Sequence, residues 1–313
     1  MPLLIATNDG VYRAASPQFD DATLVLDAGR TMRVRTFPGS AESDAVFACT
    51  KTGLYRSRDG GTSWTDLRVP REEVYAVLCS PDGERLYAGT HPAHCYVSAD
   101  AGETWRELTG LQELPSREDW YTPRHRDEAH VRSLGAHPAE PDRVVAGVEV
   151  GGVHVSDDRG ERWQERRTGL HDDVHHVLVR GPETYVASCG DGLYRTADAG
   201  RSWTRLDEGL SRRYFREATA HDGRLYAAAA RSSPGTWSGN GGADAALYVS
   251  DDDGDQFTTV SYPGGPAEVI LAWASDGDGL LAGTNEGRVL VSVDADWETG
   301  GRVPNGIRSL CRI

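Results

Sequence analysis

Short apolar stretches of four or five residues recur along the chain, at positions 3–7, 46–50, 86–90, 144–147, 184–188, 225–228 and 280–284. Their length, their Val, Leu and Tyr content and the turn residues that bound them predict buried strands rather than helices. The surroundings of each stretch repeat one plan, clearest in the third copy. There, strand A covers 74–79 and the turn Pro81-Asp82-Gly83 leads to strand B at 86–90. Strand C covers 95–98, and strand D starts at Trp105. Seven B strands predict seven four-stranded antiparallel units.

Between strands C and D lies a second recurring signal, Ser-x-Asp-x-Gly-x-x-Trp. It reads Ser57/Asp59/Gly61/Trp64, Ser98/Asp100/Gly102/Trp105, Ser156/Asp158/Gly160/Trp163 and Thr196/Asp198/Gly200/Trp203. Ser250/Asp252/Gly254/Phe257 keeps an aromatic in the last place, and Ser292/Asp294/Trp297 is shorter and lacks the glycine. The aspartate accepts bonds from backbone N–H groups ahead of it, and the glycine supplies a positive φ. The hydroxyl ties down the strand end, and the aromatic opens the returning strand and buries a large apolar area. Recurrence in nearly every unit makes these aspartates turn-formers rather than catalytic or calcium-binding groups.

The first unit starts at its strand B, with a C-like strand at 10–13. The chain ends on residues 307–313, a strand A with no unit behind it. Pairing the two ends hides both sheet edges. Residues 1–313 are therefore expected to form a single all-β domain, a seven-bladed β-propeller of four-stranded antiparallel blades. Blade 1 is assembled from residues 1–30 and 307–313, and the C-terminal strand closes the ring.

The Ser-x-Asp-x-Gly-x-x-Trp pattern resembles the Asp-box, or BNR, repeat of β-propellers. Similar boxes occur in sialidases, xyloglucan-cleaving glycosidases, sortilin-type receptors and photosystem II assembly factors. The resemblance covers nearly the whole chain and implies architecture, not activity, because such propellers include both hydrolases and pure binding proteins.

Charge narrows the range of partners. The net charge is −15, and Lys51 is the one lysine. An acidic, lysine-poor surface has a salt-adapted, halophilic look, and it repels nucleic acid in the absence of a basic stripe. No apolar run approaches a membrane span, and residues 1–6 lack a basic region with a cleavage site, so the reading is a soluble, cytoplasmic protein without membrane partners. Cys49, Cys79, Cys95, Cys189 and Cys311 show no metal-binding spacing and are expected as reduced core thiols. No cofactor is implied.

Candidate chemistry concentrates on one face. Two insertions, residues 110–130 after blade 3 and residues 231–245 within blade 6, are expected on the face opposite the aspartate turns, where binding loops gather. Strand A enters the central channel from that face. The residue after its first apolar position is Arg35, Arg132, His175 or Arg308 in blades 2, 4, 5 and 1. In blades 3, 6 and 7 it is Tyr75, Phe215 or Ile270. Converging guanidinium groups suit a carboxylate or phosphate. The alternative is that they pair with Glu72, Glu73, Asp172, Asp173 or Glu149 and plug the channel. Trp120 and Tyr121, near Arg124 in the first insertion, offer stacking surface for a sugar ring or a partner, or else anchor the loop. Trp237 in the Gly/Ser-rich second insertion reads as a lid or contact residue. His91, His94, His125 and His130 are a weak metal candidate because their spacing fits no standard zinc pattern.

Two functions remain. The sialidase resemblance implies an arginine triad, which Arg35, Arg132 and Arg308 superficially match. The Arg-Ile-Pro motif is absent, however, seven blades replace six, and no Tyr–Glu pair can be placed. Xyloglucan-cleaving relatives carry two propellers, whereas this chain holds one. A hydrolase would have to use Asp119, Glu118 or Glu149 as its carboxylates. The favoured expectation is a non-catalytic binding propeller. Its partner is a small anionic ligand, a carbohydrate or an acidic protein segment held at the channel mouth.

Overall fold

Among the described residues, each B strand lies second in a four-stranded antiparallel sheet, and seven such sheets form. The structure is a computed structural model describing residues 1–15, 19, 21–40, 42–122, 126–239, 241–275, 279–293 and 296–313. The A strands of blades 1 to 7 are Ser309–Arg312, Thr31–Thr36, Val74–Cys79, His130–His137, Val174–Val179, Tyr214–His221 and Ile270–Ser275. Each touches the A strand of the next blade around the full circle, so together they wall a central channel.

Closure joins the two chain ends. Ser309–Arg312 pairs with Leu3–Ala6 in the register Leu3↔Arg312 to Ala6↔Ser309. Leu3, Leu4, Ile5 and Ala6 have no exposed surface, and Ile307, Leu310 and Cys311 are buried beside them. The outward-facing edge of the ring is kept short: strand D is two residues long in blades 2 to 5, which limits the backbone open to stray pairing.

The turn between strands C and D works as its Ser, Asp and Gly residues require. In blade 4, Ser156 Oγ donates to Asp158 Oδ1 at 2.9 Å and accepts from Gly160 N at 2.8 Å. Asp158 Oδ1 also accepts from Arg162 N at 2.8 Å. The same bonds recur around Ser57/Asp59, Ser98/Asp100, Thr196/Asp198 and Ser250/Asp252. Side-chain and backbone bonds from Thr104 hold the exposed Asp100 carboxyl down to about 2.

The glycine has a second role that the local pattern does not reveal. At Gly160, φ is +93° and an added Cβ would lie 2.5 Å from Leu108 Cδ1 of the preceding blade. A Cβ on Gly61, Gly102, Gly200 or Gly254 would likewise meet the blade before, at Leu4, Leu67, Arg166 or Leu206, within 2.9 Å. The turn therefore also serves as an inter-blade contact.

Two expectations for the aromatic position are corrected. Strand D starts one residue later, at Thr65, Arg106, Gln164, Thr204 and Thr258. Trp64, Trp105, Trp163, Trp203 and Phe257 thus belong to the turn and do not open the returning strand. The cause is the aspartate, which captures the amide just before the aromatic and delays the ladder. Burial is also uneven. Trp163 and Trp203 are buried, whereas Trp64, Trp105 and Phe257 are only half-buried, because the short outer strand leaves part of each ring to solvent. The indoles compensate through their N–H groups. Trp64 and Trp163 donate to Gly61 O and Gly160 O at 3.2 and 2.8 Å. Trp105 and Trp203 donate to Leu67 O and Arg166 O of the blade before, each at 2.8 Å. Phe257 has no such donor and meets Tyr248 edge-on at 6.3 Å. All five cysteines are buried and unpaired.

Candidate functional site

The channel face is shaped by an irregularity that repeats from blade to blade. Strand A carries a bulge near its start, where one extra residue stands against strand B. The register shifts between Thr31 and Arg33, Val74 and Ala76, Val131 and Ser133, Val174 and His176, Phe215 and Ala218, and Ile270 and Ala272. A bulge re-aims its side chain, here toward the axis. In blade 1 the corresponding place belongs to Arg308, whose amide donates to Ala6 O at 2.8 Å just before strand A begins.

Six bulge-level side chains, Met32, Tyr75, Arg132, Arg216, Leu271 and Arg308, line a single cavity of about 460 Å³ at the channel mouth. Arg30, Arg33, Glu149 and Glu217 also line it, and residues 233–236 of the second insertion stand at its edge. The seventh bulge residue, His175, is buried; its Nδ1 donates to Phe215 O at 2.5 Å and its Nε2 lies 3.3 Å from Asp173.

The cavity has two electrostatic tiers. In the deeper one, Glu217 accepts from Arg33 at 2.8 Å and from Arg35 at 3.1 Å, with His176 Nε2 at 3.6 Å. Burial alone would raise the Glu217 carboxyl, but Arg33, His176 and Arg35 bring it down to about 2. Burial pushes the His176 imidazole down to about 3, against the pull of Glu217, so this ring is neutral near pH 7. The deeper tier is therefore a charge-paired plug.

The upper tier is only partly paired. Arg132 contacts Glu149, whose Oε2 also lies 3.1 Å from His130 Nε2. Burial would raise the Asp173 carboxyl, yet His175 and Arg132 lower it to about 2. Arg308 donates to the neutral Asn8 Oδ1 at 2.7 Å. Among the described residues, no carboxylate lies within ion-pair distance of Arg30, Arg216 or Arg308. Burial, then the Arg30 and Arg132 guanidinium groups, push the Arg308 guanidinium below its usual range. A guanidinium nonetheless keeps its proton at neutral pH, so this crowding appears as attraction for an anion. The lining carries five arginines against two glutamates, an excess of three positive charges within a chain of net charge −15.

The structure redistributes the sequence candidates. Arg132, Arg308 and Tyr75 line the cavity, and so does Glu149, as the partner of Arg132. Arg35 does not share their level. It pairs across the ladder with Phe47, three residues beyond the bulge residue Met32, and belongs to the deeper plug. The count that gave Arg35 started at Val34, whereas the strand begins at Thr31 and its first apolar residue is Met32, so it lands too far along. In blade 6 the same count stops at Phe215, whereas the shift there is spanned by Arg216 and Glu217. Sequence reasoning thus missed Arg30, Arg33, Arg216 and Glu217. The turn residues contribute nothing to the cavity. From Gly61 and Trp64 through Gly102, Trp163 and Gly200 to Gly254 and Phe257, they serve the seams between blades.

Among the described residues of the first insertion, His130 at its end lines the cavity and residues 110–122 and 126–129 stay outside the mouth. Trp120 is buried against His154 at 4.8 Å and donates its indole N–H to Ser116 Oγ at 3.0 Å, so it anchors the segment. Glu118, Asp119 and Tyr121 are exposed on that segment and line no part of the cavity. Trp237 meets Tyr214 edge-on at 6.1 Å and donates to Ser232 O at 2.8 Å, which pins the second insertion beside the cavity.

The histidine candidates separate. His91 and His130 stand 5.8 Å apart between ring centroids, whereas His94 turns to Glu107 at 2.5 Å. Arg124 and His125 lie outside the described residues. Glu149, Asp173 and His175 place donor atoms within 4.8 Å of one another, but Arg132 already supplies the cation for Glu149 there.

No family model matches this chain. The chain is 26% identical over 249 residues to the photosystem II assembly lipoprotein Ycf48 of a Synechococcus strain, covering 77% of this chain and 67% of that protein. It is 37% identical over 82 residues to vacuolar protein sorting/targeting protein 10 of Aspergillus terreus, a stretch that is 24% of this chain and 5% of that one. Among solved structures, the GH74 xyloglucanase of Xanthomonas campestris superposes with a TM-score of 0.65 at 19% identity, covering 95% of this chain but only 46% of that enzyme. A YCF48 structure bound to D1 peptide superposes with a TM-score of 0.59 at 19% identity, covering 82% of this chain and 77% of that one. The chain is thus similar in sequence to Ycf48 and, over a short stretch, to vacuolar protein sorting/targeting protein 10, and it shares its propeller fold with the GH74 and YCF48 structures.

Proposed function

We propose that this protein is a non-catalytic recognition propeller whose channel mouth takes an anionic ligand or an acidic segment of a partner protein. The observation that carries this reading is the set Arg30, Arg216 and Arg308, which line the cavity and lie beyond ion-pair reach of any described carboxylate. Surrounded by a surface of the opposite sign, such a pit focuses the field and draws in anions. The similarity to the assembly lipoprotein Ycf48, together with a separate YCF48 structure that holds a D1 peptide, supports a protein-binding role.

The second reading, a glycoside hydrolase, draws on the GH74 fold likeness. Such an enzyme needs a carboxyl group raised toward neutral pH as its acid. Of the candidate carboxylates, Glu118 and Asp119 lie outside the cavity and Glu149, which lines it, is paired with the Arg132 guanidinium, while Glu217 is held at about 2. Titrating a fluorescent peptide of acidic residues by anisotropy tests the proposal. Arg216→Ala should weaken binding about tenfold while leaving the circular dichroism unchanged, and added salt should weaken it further. Unchanged affinity in that variant, or turnover of oligosaccharide by the parent, refutes the proposal.

A further inference from the structure

We propose that the group this mouth is built to hold is a dianionic phosphoryl group, carried as a phosphate monoester, rather than a single carboxylate. This rests on the anion-binding reading above and specifies its chemistry.

The first argument is charge. The lining holds three more guanidinium groups than carboxylates, and extending the cluster to Arg35 and Asp173 adds one of each and leaves that excess intact. One carboxylate neutralises a third of it. A phosphate monoester brings close to two negative charges and three acceptor oxygens near neutral pH, and planar guanidinium groups bond such oxygens in pairs.

A second observation is independent of charge. Tyr75 is 5% exposed and lines the cavity, yet its hydroxyl has no hydrogen-bond partner. Its ring is held by His130 at 4.2 Å and lies 5.7 Å from Lys51 Nζ, so the phenol has little freedom to turn elsewhere. A buried hydroxyl left unpaired costs free energy, and an oxygen beyond those bonded by the arginines satisfies it. A bidentate arginine engages both oxygens of a carboxylate and fixes their plane, leaving only their remaining lone pairs for Tyr75. A phosphoryl group presents a further oxygen, out of that plane, for Tyr75.

Size supplies the organic part. At about 460 Å³ the cavity exceeds what a bare phosphoryl group fills. Met32, Leu271 and Pro234 give it apolar wall, which suits an ester carrying a body of sugar size.

Isothermal titration with inorganic phosphate, glucose 6-phosphate, a phosphoserine tetrapeptide and acetate tests this on the full chain. The expected result is at least about tenfold tighter binding of the phosphorylated probes than of acetate. The tighter of glucose 6-phosphate and phosphopeptide identifies the natural source. Affinity for the esters should rise severalfold between about pH 5.5 and pH 8 as the second proton leaves, with acetate unaffected. Tyr75→Phe should weaken phosphate severalfold and leave acetate unchanged. Should that variant fail to fold, the pH dependence in the parent carries the test. Equal binding of acetate and phosphate overturns the phosphoryl assignment and leaves the anion site standing. Absence of binding by all four probes overturns both.

Discussion

Glu217 supports the wall on which the mouth is built, and replacing it gives the sharpest test of the two-tier reading. Glu217→Gln keeps the shape and removes the charge that Arg33 and Arg35 share. The folded carboxyl stands at about 2 against an ordinary 4.5, and at 1.36 kcal/mol per pH unit the ionised form contributes about 3 kcal/mol near pH 7. Removal of one partner from a buried pair costs about 3–5 kcal/mol. The lower figure applies here because the Arg35 side chain is 27% exposed to the channel. For 313 residues, an unfolding entropy of about 2 cal/mol/K per residue converts this into about 5 °C in Tm.

The pH window follows from the sign. A depressed carboxyl stabilises the fold above its unfolded pKa, and that stability fades as pH falls from about 4.5 through about 2. Urea unfolding of parent and variant at pH 7 and at pH 3 should therefore show a gap that falls below half its size at the lower pH. The same variant adds one positive charge to the channel, so anion affinity at the mouth should rise while stability drops. A gap that persists undiminished at pH 3, or weaker anion binding in the variant, refutes the plug.

Two further outcomes concern the scaffold. Removing residues 307–313 strips the strand that covers Leu3–Ala6 and exposes Ile307's and Leu310's packing partners. Cooperative unfolding should shift down strongly or vanish, and an unchanged melting curve would falsify closure by the chain ends. Gly160→Ala forces a Cβ to within 2.5 Å of Leu108 at a φ of +93°. It should destabilise by about 2 kcal/mol in chemical denaturation, and a neutral result would mean that the aspartate turn does not bear on the neighbouring blade.

Much of the molecule was legible in the chain because its determinants are local. The Ser–Asp–Gly turn closes over four residues, so spacing alone identifies it, and its recurrence with the B strands sets seven blades and the pairing of the termini. The possibility that Glu149 neutralises an arginine was also readable, since Glu149 ends strand B across from the start of strand A. What only the tertiary structure decided is which side chains meet at the axis. A bulge inserts one residue and turns every following side chain to the other side of the strand, and its position shows only against the neighbouring strand. That is why Arg216 in blade 6 and Arg33 in blade 2 escaped notice while Arg35 was placed a tier too high. Trp120 reads from the sequence as either a stacking surface or a loop anchor, and His154 of the adjacent blade, found beneath it, decides for the anchor. Which arginines are neutralised and which remain available to a ligand depends on partners as far away as Arg33 and Glu217, 184 positions apart in the chain, and only the closed ring brings these together.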